Sequence, residues 1–358
     1  MNATLTAQMA KSIRYVKPVG PIGTTSLLDE LYQQLEADFM PGPVLTLHSP
    51  APPIMAGVWS ILRETLLAGN ADRAGKEAVA ATVSQMNACP FCIDAHSALL
   101  HATGNHDVVS ALADNATPIQ QPHLAELVRW TQANRLATTA TVAPPFATQD
   151  APEILGTAFT FHYINRMANV FLGDSFLPLP TAFKGWGRRV VGAAMGKRLV
   201  QPLSPGHSLR FVPRAPLPAD LAWAQPNTTV ASALAGFVHM IEEAGQVALP
   251  VPVQTLTARY LQQWQGEPPG LSRRWIDGAI VDLTASEQAA ARLTLLTALA
   301  SYQVDESTVA AFRHYYPTDQ QLIAATAWAS FTAARRALTW FTGTTTALSV
   351  IGGEEKAA

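Results

Sequence analysis

Apolar residues recur along this chain at three- and four-residue intervals, and the alternation expected of half-buried strands is scarce. The segment 26–39 carries Leu27, Leu28, Leu31, Leu35 and Phe39 on one face, so it is expected to be an amphipathic helix. Prolines 41, 43, 50, 52 and 53 break the pattern before a second helix from about Met55 to Ala68. Asn70 and Asp72 are candidate caps for a helix over Asp72 to Met86, with Val79, Val83 and Met86 inward. The next helix is expected over Cys89 to Gly104. Pro90 suits its first position, where a missing N–H costs nothing, and Gly104 suits a left-handed C-terminal cap. That register makes Cys89 the N-cap and Cys92 the third helical residue.

Further helices are expected over Pro122 to Leu136 and Ala151 to Leu172. Six prolines between 201 and 226 (202, 205, 213, 216, 218 and 226) interrupt any period, and this stretch is taken as a linker between halves. Beyond it, Thr284-Ala285-Ser286-Glu287 is a capping box opening a helix to about Ala300, followed by Val304 to Tyr315 and Asp319 to Phe341. The helix–break–helix spacing around Ser301 to Asp305 mimics that around Asn87 to Cys92. In that alignment Tyr302 stands for Cys89, Asp305 for Cys92 and Val309 for His96. The expected fold is therefore all-α and duplicated, with a degenerate second copy. Its expected parts are an extension (1–50), a helical domain bearing the cysteines (51–200), the linker (201–226) and the second domain (227–358).

Composition sharpens this in two respects. Apolar residues make up 48% of the 358 and charged residues only 14%, against about a quarter charged in an average domain. That favours extensive helix–helix or subunit interfaces, hence a homo-oligomer. A formal net charge of -2 and short, interrupted basic clusters (Lys184 to Arg189, Arg335-Arg336) argue against nucleic acid or an anionic membrane as partner. Those clusters are expected to be solvated helix ends. The first 19 residues lack the apolar core of a secretory signal, and no run reaches the ~18 apolar residues of a membrane span. A cytoplasmic chain is the expectation.

The only two cysteines of the chain lie in Cys89-Pro90-Phe91-Cys92-Ile93-Asp94-Ala95-His96. A thiol at the third residue of a helix meets the positive end of the macrodipole, which favours thiolate. His96, four residues after Cys92, shares its face and can take the thiol proton. Cys89 is one turn away, within disulfide reach. Glu77, on the preceding helix, can orient His96 if the two helices form an antiparallel hairpin. A haem attachment motif would need His where Ile93 stands. A zinc site would need Glu77 or His101 as further ligands, and a thioredoxin motif would need a βαβ setting. A redox dithiol without cofactor or metal fits best. Two other uses of the same residues stay open: a general dithiol–disulfide oxidoreductase and a non-catalytic metal-binding helical protein.

The combination Glu77-x11-Cys89-Pro-Phe-Cys92-x3-His96 resembles the active-site motif of the AhpD-like alkylhydroperoxidases, within the carboxymuconolactone decarboxylase superfamily. The resemblance is strongest over 55–175, where His162-Tyr163-Ile164-Asn165-Arg166 also looks like a segment of these proteins, and weaker over 284–341. It implies that Cys92 is the peroxidatic and Cys89 the resolving cysteine, with His96 taking the proton and Glu77 completing the relay. A hydroperoxide would be the substrate, and an external dithiol, protein or lipoyl-type, the reductant. Some members carry His immediately before the second cysteine, where this chain has Phe91. Asp94 is expected to serve the helix N-terminus electrostatically, and His101 and His106 to be surface residues. Tyr163, Asn165 and Arg166 are expected either to line a pocket or to serve core packing and helix–helix hydrogen bonding. Trp59, Trp186, Trp275 and Trp328 are expected to be core or interface aromatics.

Overall fold

In the computed structural model of the chain, residues 12–21, 23, 26–114, 117–139, 142–173, 175, 181–199 and 201–343 are described. The expectations placed on 1–11 and 344–358 lie outside these. The architecture is all-α. Among the described residues the only β pairing is two isolated bridges, Ile13 with Leu172 and Ala68 with Leu203.

Asp72, Pro90 and Thr284 open helices as expected, whereas the helices expected from Met55 and Val304 begin at Pro52 and Glu306. α1 (Leu27–Asp38) starts on Ser26, whose side chain accepts from the Asp29 amide. α2 (Pro52–Leu62) runs into a π-helical turn, Arg63–Leu67. α3 (Arg73–Met86) is capped by Asp72, and α4 (Pro90–Ala102) has Cys89 as N-cap and Pro90 first, as the punctuation requires. α5 (His106–Asp114) and α6 (Pro122–Ala133) lead to α7 (Ala151–Phe171). α8 (Thr181–Leu199), which no periodicity announced, follows. The second half holds α9 (Thr228–Ala248), α10 (Val251–Gln263), α11 (Ala285–Ala300), α12 (Glu306–Tyr315) and α13 (Asp319–Thr342). The predicted capping box opens α11, and a second one, Thr318 with Gln321, opens α13.

The two halves have the packing expected of an internal duplication. α3 packs on α4 and α7 as α11 packs on α12 and α13. Across the halves α2 pairs with α9 and α7 with α13, each helix meeting its own counterpart. A single contiguous core runs through both halves. Helix starts correct the register taken from spacing. Asp305 caps α12 as Cys89 caps α4, so Asp305 stands opposite Cys89, Thr308 opposite Cys92 and Phe312 opposite His96. The mismatch arises because Ser301–Gln303 is an extra 3-10 turn before α12.

The segment 201–226 packs against both halves. Glu64 accepts from the Gly206 amide (2.7 Å) and the Ser208 hydroxyl (2.7 Å), and Asp220 pairs with Arg335, which also holds Glu242 at 2.9 Å. Arg335 is thus an interior cross-tie rather than a solvated helix end. Lys184 to Arg189 likewise sit inside α8, where Arg188 and Lys184 face Asp94. Trp59 is fully buried and Trp328 nearly so, whereas Trp186 is 65% exposed on α8 with Phe183 and Val190. No helix among the described residues is long and apolar enough to cross a membrane.

Candidate active site

The turn joining α3 to α4 fixes the cysteines. Asn87 closes α3, and Ala88 then takes a left-handed conformation (φ 48°), unusual for a residue with a Cβ. The Ala88 amide donates to the Gln85 carbonyl (3.0 Å) and the Cys89 amide to the Ser84 carbonyl (3.0 Å), a Schellman closure. Cys89 therefore ends one helix and caps the next, its own carbonyl accepting from Ile93 (3.0 Å). α4 closes in the same way: Gly104 (φ 82°) donates to His101 and Asn105 to Leu100. The two sulfurs are thereby placed one turn apart at the start of α4.

Both thiols are free and interior, Cys89 at 0% and Cys92 at 2% exposure. They belong to the contiguous buried core and not to an open cleft. A surface cleft of about 460 Å³ runs beside the α3–α6 seam, lined by Thr82, Gln85, Met86, Gln132 and Arg135, and none of the four predicted residues lines it. Burial pushes the Cys92 thiol well above its ordinary range. The hydrogen bond and charge of Cys89 add to this, while a hydrogen bond from the Asn165 side chain pulls the other way. Burial thus works against the thiolate that the helix N-terminus favours.

The hairpin of α3 and α4 brings Glu77 to His96. Glu77 Oε2 lies 2.6 Å from His96 Nδ1, and both side chains are buried. Phe161 of α7 meets the imidazole edge to face at 4.4 Å. Burial alone would raise the Glu77 carboxyl, but Arg73 and His96 together outweigh it and hold it below the usual range. Arg73, one turn before Glu77, contacts the second carboxylate oxygen at 2.7 Å. No hydrogen bond links His96 directly to Cys92 among the described residues. The structure therefore joins Glu77 of α3 with His96 of α4, and sets His96 on the same helix as Cys92, with Cys89 as its N-cap.

Several participants escaped the sequence reading. Arg73 was overlooked, although its i,i+4 spacing to Glu77 was visible. Asn87 is a hub. Its amide nitrogen donates to Asn165 Oδ1 (3.0 Å) and reaches His162 Nδ1 (3.2 Å), its Oδ1 accepts from Arg166 (3.3 Å), and its carbonyl accepts from Asn169 (3.0 Å). Asn165 and Arg166 thus serve helix–helix hydrogen bonding in the interior, the second of the two expected roles. Arg166 also donates to the Ala298 carbonyl (2.8 Å), tying the cysteine turn to the second half. Asp94 does not serve the helix end: it is buried and paired with Arg188 and Ser175, which fastens α8 over α4. His101 and His106 approach within 2.6 Å; partial burial, then His106, Arg189 and Arg188, hold His101 down at about 4.

The carboxymuconolactone decarboxylase family profile matches residues 52–133, the stretch from α2 through α6 that carries Glu77, both cysteines and His96. An alkyl hydroperoxide reductase of Mycobacterium tuberculosis is 38% identical over 332 residues, 92% of this chain and 95% of that protein. The chain belongs to the carboxymuconolactone decarboxylase family. The similarity to that reductase spans nearly the whole length, second half included, and supports the AhpD-like resemblance. No solved structure matches the chain.

Proposed function

We propose that this family member reduces alkyl or hydrogen peroxides through a Cys92–Cys89 dithiol–disulfide cycle. The observation that carries the reading is the buried 2.6 Å contact from Glu77 to His96, which lies on the helix that also begins with the two thiols. The printed name of the mycobacterial relative supports the same reaction class. With Nδ1 held by Glu77, His96 keeps Nε2 for the Cys92 proton, reached through a bridging water. The Cys92 thiolate attacks the distal peroxide oxygen and the O–O bond breaks. The alkoxide takes the proton from His96 and leaves as alcohol, and Cys92 becomes a sulfenic acid. Cys89 then attacks that sulfur, the S–S bond forms, and hydroxide departs with the Cys89 proton as water. An external dithiol, protein or lipoyl-type, returns two electrons and two protons. A reducing cytoplasmic setting and a homo-oligomeric assembly complete the reading, with 51–200 as the reacting domain and 227–358 as its degenerate support.

Peroxide consumption by the pure protein with a dithiol reductant tests this. Cys92→Ser is expected to abolish turnover, and Cys89→Ser to leave a trappable sulfenic acid at Cys92. Turnover that survives Cys92→Ser removes the assigned nucleophile. Disulfide turnover with no sulfenic acid formed would favour a general dithiol–disulfide oxidoreductase instead, and stoichiometric zinc in protein purified without chelators would favour metal binding.

A further inference from the structure

The inner face of α8 lies on α4, where Gly192 and Gly196 allow close approach to Ala98 and Ala102. On the opposite side of the helix, Phe183, Trp186, Val190 and Ala193 follow at intervals of three, four and three residues and form one stripe. That stripe faces outward: Phe183 is 60% exposed, Trp186 65% and Val190 45%. Large apolar side chains in helical register normally mark a buried face, so this one is an attachment surface that the described residues leave uncovered.

Charge tells what the surface attaches to. Of the 24 basic and 26 acidic side chains of the chain, five basic and no acidic ones fall in α8: Lys184, Arg188, Arg189, Lys197 and Arg198. Among the described residues only Asp94 pairs with this helix, through Arg188 and, at 3.9 Å, Lys184. Arg189 is exposed and makes no ion pair there. The net charge of -2, which argued against an anionic membrane, averages this local excess away. A second copy meeting the same face about a two-fold axis would set basic side chains against their own equivalents. An anionic lipid surface meets both needs, with phosphates for the basic groups and acyl chains for the stripe, and it requires no matching groove. Tryptophan and phenylalanine beside lysine and arginine are the side chains such an interface takes up. α8 is not long and apolar enough to cross a bilayer, so it would lie along the surface.

We propose that α8 is a docking helix that lies flat on an anionic lipid surface, with Phe183, Trp186 and Val190 inserted between the headgroups. α4, which bears Cys92 and His96, is the element directly behind it. The docking itself does not depend on the thiol chemistry.

The test sediments the full-length protein with vesicles of phosphatidylglycerol or of phosphatidylcholine. Binding is expected to the former and not the latter, with release as sodium chloride rises from about 0.05 to about 0.5 M. Substituting Phe183→Ser together with Trp186→Ser is expected to raise the lipid concentration for half-binding about tenfold or more, and Arg189→Glu roughly tenfold. These side chains point to solvent, so urea midpoints should match the parent. Absence of binding to phosphatidylglycerol, equal binding to both lipids, or folded variants that bind as the parent does each overturn the proposal. A parent that ignores vesicles while the double variant sediments as a smaller species would make the face an interface between copies, which also overturns it. Should the variants not fold, the unsubstituted chain decides. Trp186 is the most exposed of the eight tryptophans, so phosphatidylglycerol vesicles with acyl chains brominated near the headgroup should quench the protein's fluorescence, and unquenched emission overturns the proposal. No readout involves the thiols, so failure here leaves the dithiol reading standing.

Discussion

At the scale of single residues, the acidic group of the site is the most constrained. Glu77 divides its two oxygens between Arg73 and His96, so the carboxylate is held in its charged form although no solvent reaches it. Removing one partner of a buried ion pair leaves an uncompensated charge. Arg73→Met takes away a cation that lowers the Glu77 carboxyl, so that carboxyl protonates at higher pH. The acid-side midpoint of peroxide turnover is therefore expected to rise by about one unit, measured as a pH–rate profile. Glu77→Gln keeps the size and a hydrogen bond but loses the charge that steadies an imidazolium. Turnover is expected to drop by roughly 100-fold while the protein stays folded, measured as kcat/KM beside an unfolding curve.

At the scale of elements, most of what the sequence made legible was punctuation. Asp72, Pro90, Gly104 and Thr284 each mark a helix boundary through a local hydrogen-bond or dihedral requirement, and each boundary lies where that requirement puts it. The Cys89–Cys92–His96 face follows from one such boundary. The Glu77–His96 contact depended on a helix pairing that local sequence only suggested. α8 stayed hidden because its determinants are long-range: Gly192 and Gly196 give it little propensity, and they exist for close approach to α4. A Cβ at Gly192 would lie 2.5 Å from the Ala98 carbonyl oxygen, and one at Gly196 would lie 2.4 Å from the Ala102 Cβ. Asp94, whose role spacing misjudged, completes that seam through Arg188. Gly196→Val is accordingly expected to cost about 1–3 kcal/mol. Hydrogen exchange should show faster exchange across 181–199 and the last turn of α4, with α11 to α13 unchanged.

At the scale of the whole molecule, buried ionisable groups set opposite limits on stability. Burial lowers His48, which lies beside the Tyr163 hydroxyl at 3.0 Å, from 6.5 to about 4. The unfolded chain then binds more protons between those values, so stability falls as pH drops through the window, by about 3 kcal/mol from this group when complete. His162, also lowered by burial, acts in the same direction. Cys92 acts at the alkaline end. Its folded thiol is held above the ordinary range, so above that range the unfolded chain releases a proton that the folded one keeps, and stability falls as pH rises. Urea midpoints of the reduced protein are expected to be highest near neutrality and to fall toward both pH 5 and pH 10. Formation of the disulfide should remove the alkaline decline and leave the acidic one, which assigns the former to the thiols.

The enclosure of the two sulfurs also has a kinetic meaning. On the proposed cycle, a small peroxide would need little rearrangement to reach Cys92, whereas a dithiol reductant would have to bring its own sulfur into line with a bond that the closed fold shields. The reductive half of that proposed cycle would then be governed by how often the protein opens locally around α4. Chemically different dithiols at high concentration should all converge on one maximal rate, the opening rate. That common ceiling should rise in any variant that loosens the α8–α4 seam.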